Sequence, residues 1–67
     1  MNILVTGSSG FIARFLIPGL GAKGHRVVGI DKRPGPAFGD YFRFVHGNIL
    51  DDRAVDSAMS QVDLVIH

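Results

Sequence analysis

An apolar strand that runs directly into a glycine turn and a helix constrains this chain more than any other part of its sequence. The strand Ile3-Leu4-Val5 is typical of one buried on both faces of a parallel sheet. Gly7 and Gly10 then allow the backbone to turn sharply and to approach a ligand with no Cβ in the way. Because the following helix begins with free N–H groups and the positive end of its dipole, the turn predicts a site for the pyrophosphate of a dinucleotide.

The spacing of the turn excludes two other phosphate-binding motifs. Gly7-x-x-Gly10-x-x-Ala13 lacks the G-x-G-x-x-G order, and the Gly-Lys-Ser/Thr ending of a P-loop is missing. A tight turn with no ligand stays open as the simpler interpretation. Asp31 favours the dinucleotide, because it ends the second apolar run 21 residues after Gly10, where a carboxylate can accept hydrogen bonds from the adenosine ribose. A solvated turn aspartate is the alternative for Asp31.

Composition and charge argue against several other classes of protein. Hydrophobic residues make up 46% of the 67 residues and charged residues 19%, as in a globular core. The charges are scattered and sum to +1, so we expect no nucleic-acid partner. With no cysteine and three widely separated histidines, we expect neither a disulfide nor a metal site. The apolar runs fall far short of the roughly 20 residues that span a bilayer, so we predict a cytoplasmic protein with no membrane partner.

The hydrophobic pattern predicts an α/β fold in which strands and helices alternate. We expect strands at residues 2–6, 26–30, 43–46 and 62–67, and helices at residues 10–23 and 52–60. The segment 32–42 is rich in proline and glycine and is expected to be a loop. Right-handed crossovers then predict a parallel sheet in the order 3-2-1-4 with its helices on opposite faces, which is the N-terminal half of a doubly wound Rossmann sheet.

Three finer expectations concern the helices and the last strand. The first helix should cover one face of the sheet with apolar residues at helical spacing, namely Phe11, Ile12, Phe15, Leu16 and Leu20. Pro18 should kink this helix and weaken its second half, and Asp51 or Asp52 should cap the second helix. The strand at 62–67 has an unpaired apolar edge, so we expect a homo-oligomer or further polypeptide there.

Four segments together share a pattern with a known family. They are residues 6–13, 24–31, 47–51 and 62–67. They resemble the N-terminal part of the extended short-chain dehydrogenase/reductase family, the NAD-dependent epimerases and dehydratases that act mostly on nucleotide sugars. Position 13 is usually glycine in that family and is alanine here, which still allows close packing of the helix on the strand.

The resemblance implies a dinucleotide cofactor and the residues that hold it. Backbone groups of Phe11 and Ile12 would contact the pyrophosphate, and Asn48 and Ile49 would flank the adenine. Asn48 stands where the family usually has aspartate; its amide oxygen can still accept a hydrogen bond from the adenine amino group. A turn residue after Gly47 is the alternative interpretation of Asn48.

The residues after the second strand bear on the choice between NAD and NADP. Asp31 would repel the 2′-phosphate of NADP and accept a hydrogen bond from the free hydroxyl of NAD. Lys32 and Arg33 could instead neutralise that phosphate. We therefore expect NAD as the cofactor, with NADP possible.

The acid/base pair of the resembled family is not found in this sequence. That family uses a Tyr-x-x-x-Lys pair, whereas the single tyrosine here, Tyr41, is followed four residues later by Val45. We therefore expect the 67-residue chain alone to be inactive. It would be the cofactor-binding part of an NAD-dependent epimerase, dehydratase or reductase acting on a nucleotide sugar or related sugar. A non-catalytic NAD(P)-sensing module of the same fold is the alternative.

Overall fold

The chain forms a four-stranded parallel sheet with one helix on each face. The computed structural model describes residues 1–48 and 50–67. In chain order the elements are β1 (Asn2–Thr6), α1 (Ala13–Ala22), β2 (Arg26–Asp31), β3 (Phe42–His46), α2 (Asp52–Met59) and β4 (Leu64–Ile66). The strands lie in the order β3-β2-β1-β4, which confirms the predicted Rossmann arrangement.

The central strand β1 supplies side chains to both faces of the sheet. All five of its residues pair with β2, and three of them also pair with β4. Because successive side chains of a strand point to opposite faces, its apolar residues divide between two cores. The core on the α1 side contains Ile3, Val5, Ala13, Ile17 and Val27. The core on the α2 side contains Leu4, Ile30 and Ala58. The two helices therefore lie on opposite faces, as predicted.

Helix α1 begins three residues later than the sequence predicts, and its buried face also differs from the predicted one. Residues 7–12 form the turn, and Ile12 occupies the N-cap position. The buried stripe consists of Ala13 and Ile17, with Leu16 and Leu20 partly buried beside them. The expectation that Phe11, Ile12 and Phe15 cover the sheet is wrong, since these side chains are 71–77% exposed. Residues 10–12 belong to the turn, and within the helix the face with Ala13 and Ile17 packs on the sheet, which leaves Phe15 exposed.

Helix α1 ends in a hydrogen-bonded capping motif. Pro18 lies inside the helix, which nevertheless continues to Ala22. Gly24 has a φ of +86°, and its N–H donates to the carbonyl of Gly21 while that of His25 donates to Leu20. This pair of bonds is a Schellman motif, which ends a helix at a residue that favours glycine. It returns the chain directly into β2.

The segment between β2 and β3 forms a loop and no helix, as predicted. This loop packs back against α1. Phe38, Tyr41 and Phe42 join the core on the α1 side. The rings of Phe38 and Phe42 meet edge to face with their centroids 4.8 Å apart. A Cβ on Gly21 would lie 2.5 Å from the Tyr41 ring, so the helix and the loop approach each other closely.

The chain closes with α2 and the short edge strand β4. The Asp51 carboxylate accepts a hydrogen bond from the N–H of Arg53 at 3.0 Å, so Asp51 rather than Asp52 caps α2. Strand β4 spans fewer residues than the predicted 62–67 and lies at the edge of the sheet. Leu64 and Val65 are 47% and 44% exposed there. Within the described residues, no helix is long and apolar enough to cross a membrane.

Gly29 in β2 provides the space into which the glycine turn packs. Ser8 of the turn is 1% exposed and lies directly against Gly29. A Cβ at position 29 would be 2.5 Å from the Cβ and Oγ of Ser8 and 2.7 Å from the ring of Phe42. Both neighbours are held by the core, so neither can move away without disturbing the sheet.

We expect Gly29→Ala to lower the free energy of unfolding by about 1–3 kcal/mol, because the added methyl group overpacks this position. Thermal unfolding followed by circular dichroism measures the change. Gly19→Ala is the matched control, because among the described residues a Cβ on Gly19 meets no atom within 4 Å outside its own helix, and alanine favours a helix. A Gly29→Ala variant as stable as the control would contradict this account of the turn.

Candidate functional site

The turn that follows β1 is held against the end of β2 by backbone hydrogen bonds. The N–H groups of Gly7 and Ser8 both donate to the carbonyl of Ile30, at 3.0 and 3.3 Å. Gly7 has a φ of +64°, which glycine adopts at little cost, and its own carbonyl accepts from the N–H of Gly10 at 2.9 Å. These contacts fix the path of the backbone between the strand and α1.

The fixed turn leaves backbone donors available at the start of α1. Within the described residues, the N–H groups of Phe11 and Ile12 have no protein acceptor. No side chain caps the helix, and its first turn contains no acidic residue. A Cβ on Gly10 would meet only the Gly7 carbonyl at 3.1 Å and the Arg33 guanidinium at 4.0 Å, so this side of the turn is open. Free donors and a positive helix end facing an open surface suit a phosphate group.

Asp31 is the charged residue of the site, and it is already hydrogen-bonded by the protein. Its side chain is 5% exposed. One carboxylate oxygen accepts from the N–H of Ser9 at 3.1 Å, and the other accepts from the N–H and the Nε of Arg33 at 2.9 and 3.4 Å. Burial raises the pKa of Asp31, but the hydrogen bonds from Arg33 and Ser9 and the Arg33 charge outweigh it and hold the pKa below its ordinary value. Asp31 is therefore ionised at neutral pH.

The start of the loop after β2 is anchored on both sides of Asp31. The Ser9 hydroxyl donates to the carbonyl of Arg33 at 2.7 Å. On the other side, the carbonyl of Lys32 lies 3.0 Å from Nε2 of His46 at the end of β3. The backbone at 32–33 is therefore fixed, while the Lys32 and Arg33 side chains are exposed. This arrangement places the Arg33 cation beside the Asp31 carboxylate, with Lys32 next to Asp31 in the chain.

A cavity of about 400 Å³ lies at the carboxyl ends of β1 and β4, next to the turn. Its lining includes Gly7, Gly10, Phe11 and Ile12 from the turn and His67 after β4. This is the point where the strand order reverses, and ligands of doubly wound sheets bind at such a crevice. A larger cavity of about 770 Å³ lies at the opposite, amino ends of the strands and is remote from the turn, so we do not assign it to the site.

The structure brings most of the predicted site residues together. The turn itself contains Gly7, Gly10, Phe11 and Ile12. Asp31 and Arg33 are hydrogen-bonded to Ser9 of the turn, and Lys32 lies between them in the chain. Asn48 is exposed, and its side-chain oxygen accepts from the N–H of Leu50 at 2.9 Å, which is the local hydrogen bond of a turn residue. Ile49 lies outside the described residues.

Two contacts at the site were not predicted from the sequence. Ser9 links the turn to both Asp31 and Arg33, and the hydroxyl of Thr6 lies 2.8 Å from Nδ1 of His67 across the mouth of the cavity. The position of Ser9 within the turn was the available signal for the first contact. The second depends on the pairing of β1 with β4, which no local pattern contains.

We expect Asp31→Asn to destabilise the chain by about 1–3 kcal/mol at neutral pH, because an amide cannot accept from all three donors. Since folding lowers the pKa of Asp31 below its ordinary value of 3.8, its charged form contributes stability above that ordinary value. That contribution is lost as the pH falls through the lower folded value. Urea unfolding at several pH values should therefore show the difference between the two proteins shrinking below about pH 4.

Asp40→Asn is the control for the Asp31 variant, since Asp40 is exposed and makes no hydrogen bond or ion pair in the part of the chain that the structure describes. It should change the stability little at any pH. If Asp31→Asn matched this control at neutral pH, the hydrogen bonds assigned to Asp31 would not stabilise the fold.

Comparisons with known proteins agree with this geometry. Residues 3–67 match the NAD dependent epimerase/dehydratase family. The chain is 40% identical over 67 residues to an uncharacterized protein of Mycobacterium tuberculosis, covering all of this chain and 8% of that protein. It thus spans a small part of the length of the curated relatives it matches.

Two solved structures are similar over nearly the whole chain. A short-chain dehydrogenase/reductase superfamily protein from Agrobacterium tumefaciens with bound NAD superposes with a TM-score of 0.83 at 36% identity, covering 100% of this chain and 20% of that one. MoeE5 in complex with UDP-glucuronic acid and NAD gives a TM-score of 0.81 at 34% identity, covering 97% of this chain and 21% of that one. With the family match, the parallel sheet and the glycine turn, the chain belongs to the NAD-dependent epimerase/dehydratase family and forms the N-terminal Rossmann part of its fold.

Proposed function

We propose that this chain binds NAD through the adenosine diphosphate portion of the cofactor. The observation that carries the proposal is the open face of the turn, where the free N–H groups of Phe11 and Ile12 adjoin Gly10 and the Asp31 carboxylate lies close by. The pyrophosphate would accept hydrogen bonds from those N–H groups, and the adenosine ribose would donate to Asp31. Asn48 and Ile49 are proposed to flank the adenine.

We further propose that the chain is the cofactor-binding part of an NAD-dependent oxidoreductase of the epimerase/dehydratase type. A nucleotide sugar or related sugar is the proposed substrate, supported by the UDP-glucuronic acid in the MoeE5 complex. Bound NAD supplies a hydride acceptor, and the residues of this chain bind and orient it. Tyr41 is packed at the amino end of β3, away from the turn, which leaves the acid/base step to residues outside this chain.

The outer edge of β4 is the proposed place for additional polypeptide or a second subunit. Leu64 and Val65 are half-exposed on this edge strand, and an uncovered apolar edge favours pairing with another strand. The chain corresponds to about a fifth of each of the two solved structures described above. Polypeptide packed against this edge would also enclose the cavity at the carboxyl ends of β1 and β4. It would thereby provide walls around the rest of the cofactor.

We expect Gly10→Val to abolish NAD binding while leaving the fold largely intact. The branched side chain would occupy the open space beside the free N–H groups, yet it meets few protein atoms there. Calorimetric titration with NAD measures binding, and circular dichroism checks the fold. Gly19→Val is the matched control, because it adds the same side chain to α1 at a position with no atom within 4 Å. Binding by Gly10→Val within a few-fold of the control would refute the assignment of the turn.

We expect NAD to bind about tenfold more tightly than NADP, a difference of about 1.4 kcal/mol. The ionised Asp31 carboxylate would repel the 2′-phosphate of NADP, and the neighbouring Lys32 and Arg33 side chains offset only part of this repulsion because they are exposed to solvent. Parallel titrations of both cofactors test the preference. Tighter binding of NADP would show that the two cations dominate over Asp31.

A further inference from the structure

The Asp31 carboxylate has almost no free capacity to accept hydrogen bonds. An ionised carboxylate offers about four lone-pair positions. Three of them face donors of the protein, namely the N–H of Ser9, the N–H of Arg33 and the Nε of Arg33. A ribose that presents two hydroxyl donors therefore finds about one position open. One of the three protein donors must leave before both hydroxyls can be accepted.

The Arg33 side chain is the donor that can leave. The other two donors are backbone N–H groups, and the turn and the anchored loop hold them in place. The Nε contact is longer, at 3.4 Å, and the Arg33 side chain is 64% exposed. Asp31 is buried, but the guanidinium is exposed, so water can solvate it once the long Nε contact breaks, and a ribose hydroxyl can replace it as a donor to the carboxylate.

The Arg33 guanidinium also lies on the path that a bound nucleotide would take. Its Nη2 atom lies 4.0 Å from the point that a Cβ on Gly10 would occupy. The side chain thus extends from the Asp31 carboxylate toward the open face of the turn. A nucleotide with its ribose at Asp31 and its pyrophosphate at the turn would have to cross this position.

We propose that the Arg33 side chain competes with the nucleotide ribose for the Asp31 carboxylate, and swings away from Asp31 when a ribose with free hydroxyls binds. This inference rests on the proposed dinucleotide binding. It makes Arg33 a residue that weakens recognition of the ribose hydroxyls, because part of the binding free energy is used to break the contact between Nε and the carboxylate.

The test compares the binding of ADP and 2′-deoxy-ADP to the wild-type chain and to Arg33→Ala. The two probes carry the same phosphates, so the ratio of their dissociation constants isolates the 2′-hydroxyl from any change in overall charge. Arg33→Ala keeps the backbone N–H that donates to Asp31 and removes only the competing side chain. We expect the preference for ADP over 2′-deoxy-ADP to rise about threefold to fivefold in this variant.

Arg14→Ala is the matched control, since it removes one exposed positive charge from the first turn of α1 without touching Asp31. It should weaken the binding of both probes equally and leave their ratio unchanged. An unchanged or lower ratio in Arg33→Ala would overturn the competition while the proposed function stood. If the wild-type chain bound neither probe, the proposed function itself would fail.

Discussion

Three consecutive backbone N–H groups of the turn, those of Gly7, Ser8 and Ser9, donate to the last two residues of β2. These bonds join the first strand to the second at their carboxyl ends. They also fix the path of the chain up to the next donors, the N–H groups of Phe11 and Ile12, which have no acceptor among the residues that the structure describes. The N–H groups that bond to β2 and the N–H groups left for a phosphate thus belong to one continuous turn. The bonds to β2 therefore determine where the phosphate-binding N–H groups lie.

Two glycines serve this turn for opposite reasons. Gly29 lacks a side chain so that Ser8 and Phe42 can fill the space with protein atoms. Gly10 lacks one so that the space beside it stays open. The first glycine lets the turn pack on the sheet, and the second lets a ligand approach the backbone. A substitution at position 29 should therefore act mainly on stability, and one at position 10 mainly on binding.

Asp31 links the stability of the site to its chemistry. Its carboxylate holds the turn through Ser9 and the loop through Arg33, and in the proposed function the same carboxylate receives the ribose. Because the protein donors keep the group ionised, a fixed negative charge lies beside the exposed Arg33 cation, and Lys32 is its neighbour in the chain. The negative charge of Asp31 underlies the proposed preference for NAD over NADP. The contact of Arg33 with the same charge underlies the proposed competition with the ribose. A substitution of Asp31 would therefore alter both the stability of the fold and the binding of the ribose. A substitution of Gly10 would alter the binding and leave the fold largely intact.

The sequence by itself determined the order of strands and helices, the parallel sheet and the position of the turn, because these follow from local hydrophobic runs and from glycines at fixed spacing. It did not determine which face of α1 is buried. Phe11, Ile12 and Phe15 fit a helical stripe in the sequence, but the first two belong to the turn, and Phe15 lies on a face of α1 that does not pack on the sheet. Only the tertiary structure decided that Ser9 donates to Asp31 and that Thr6 contacts His67. Those contacts join residues far apart in the chain, and they depend on the packing of the turn, the loop and the strand ends, which no local pattern records.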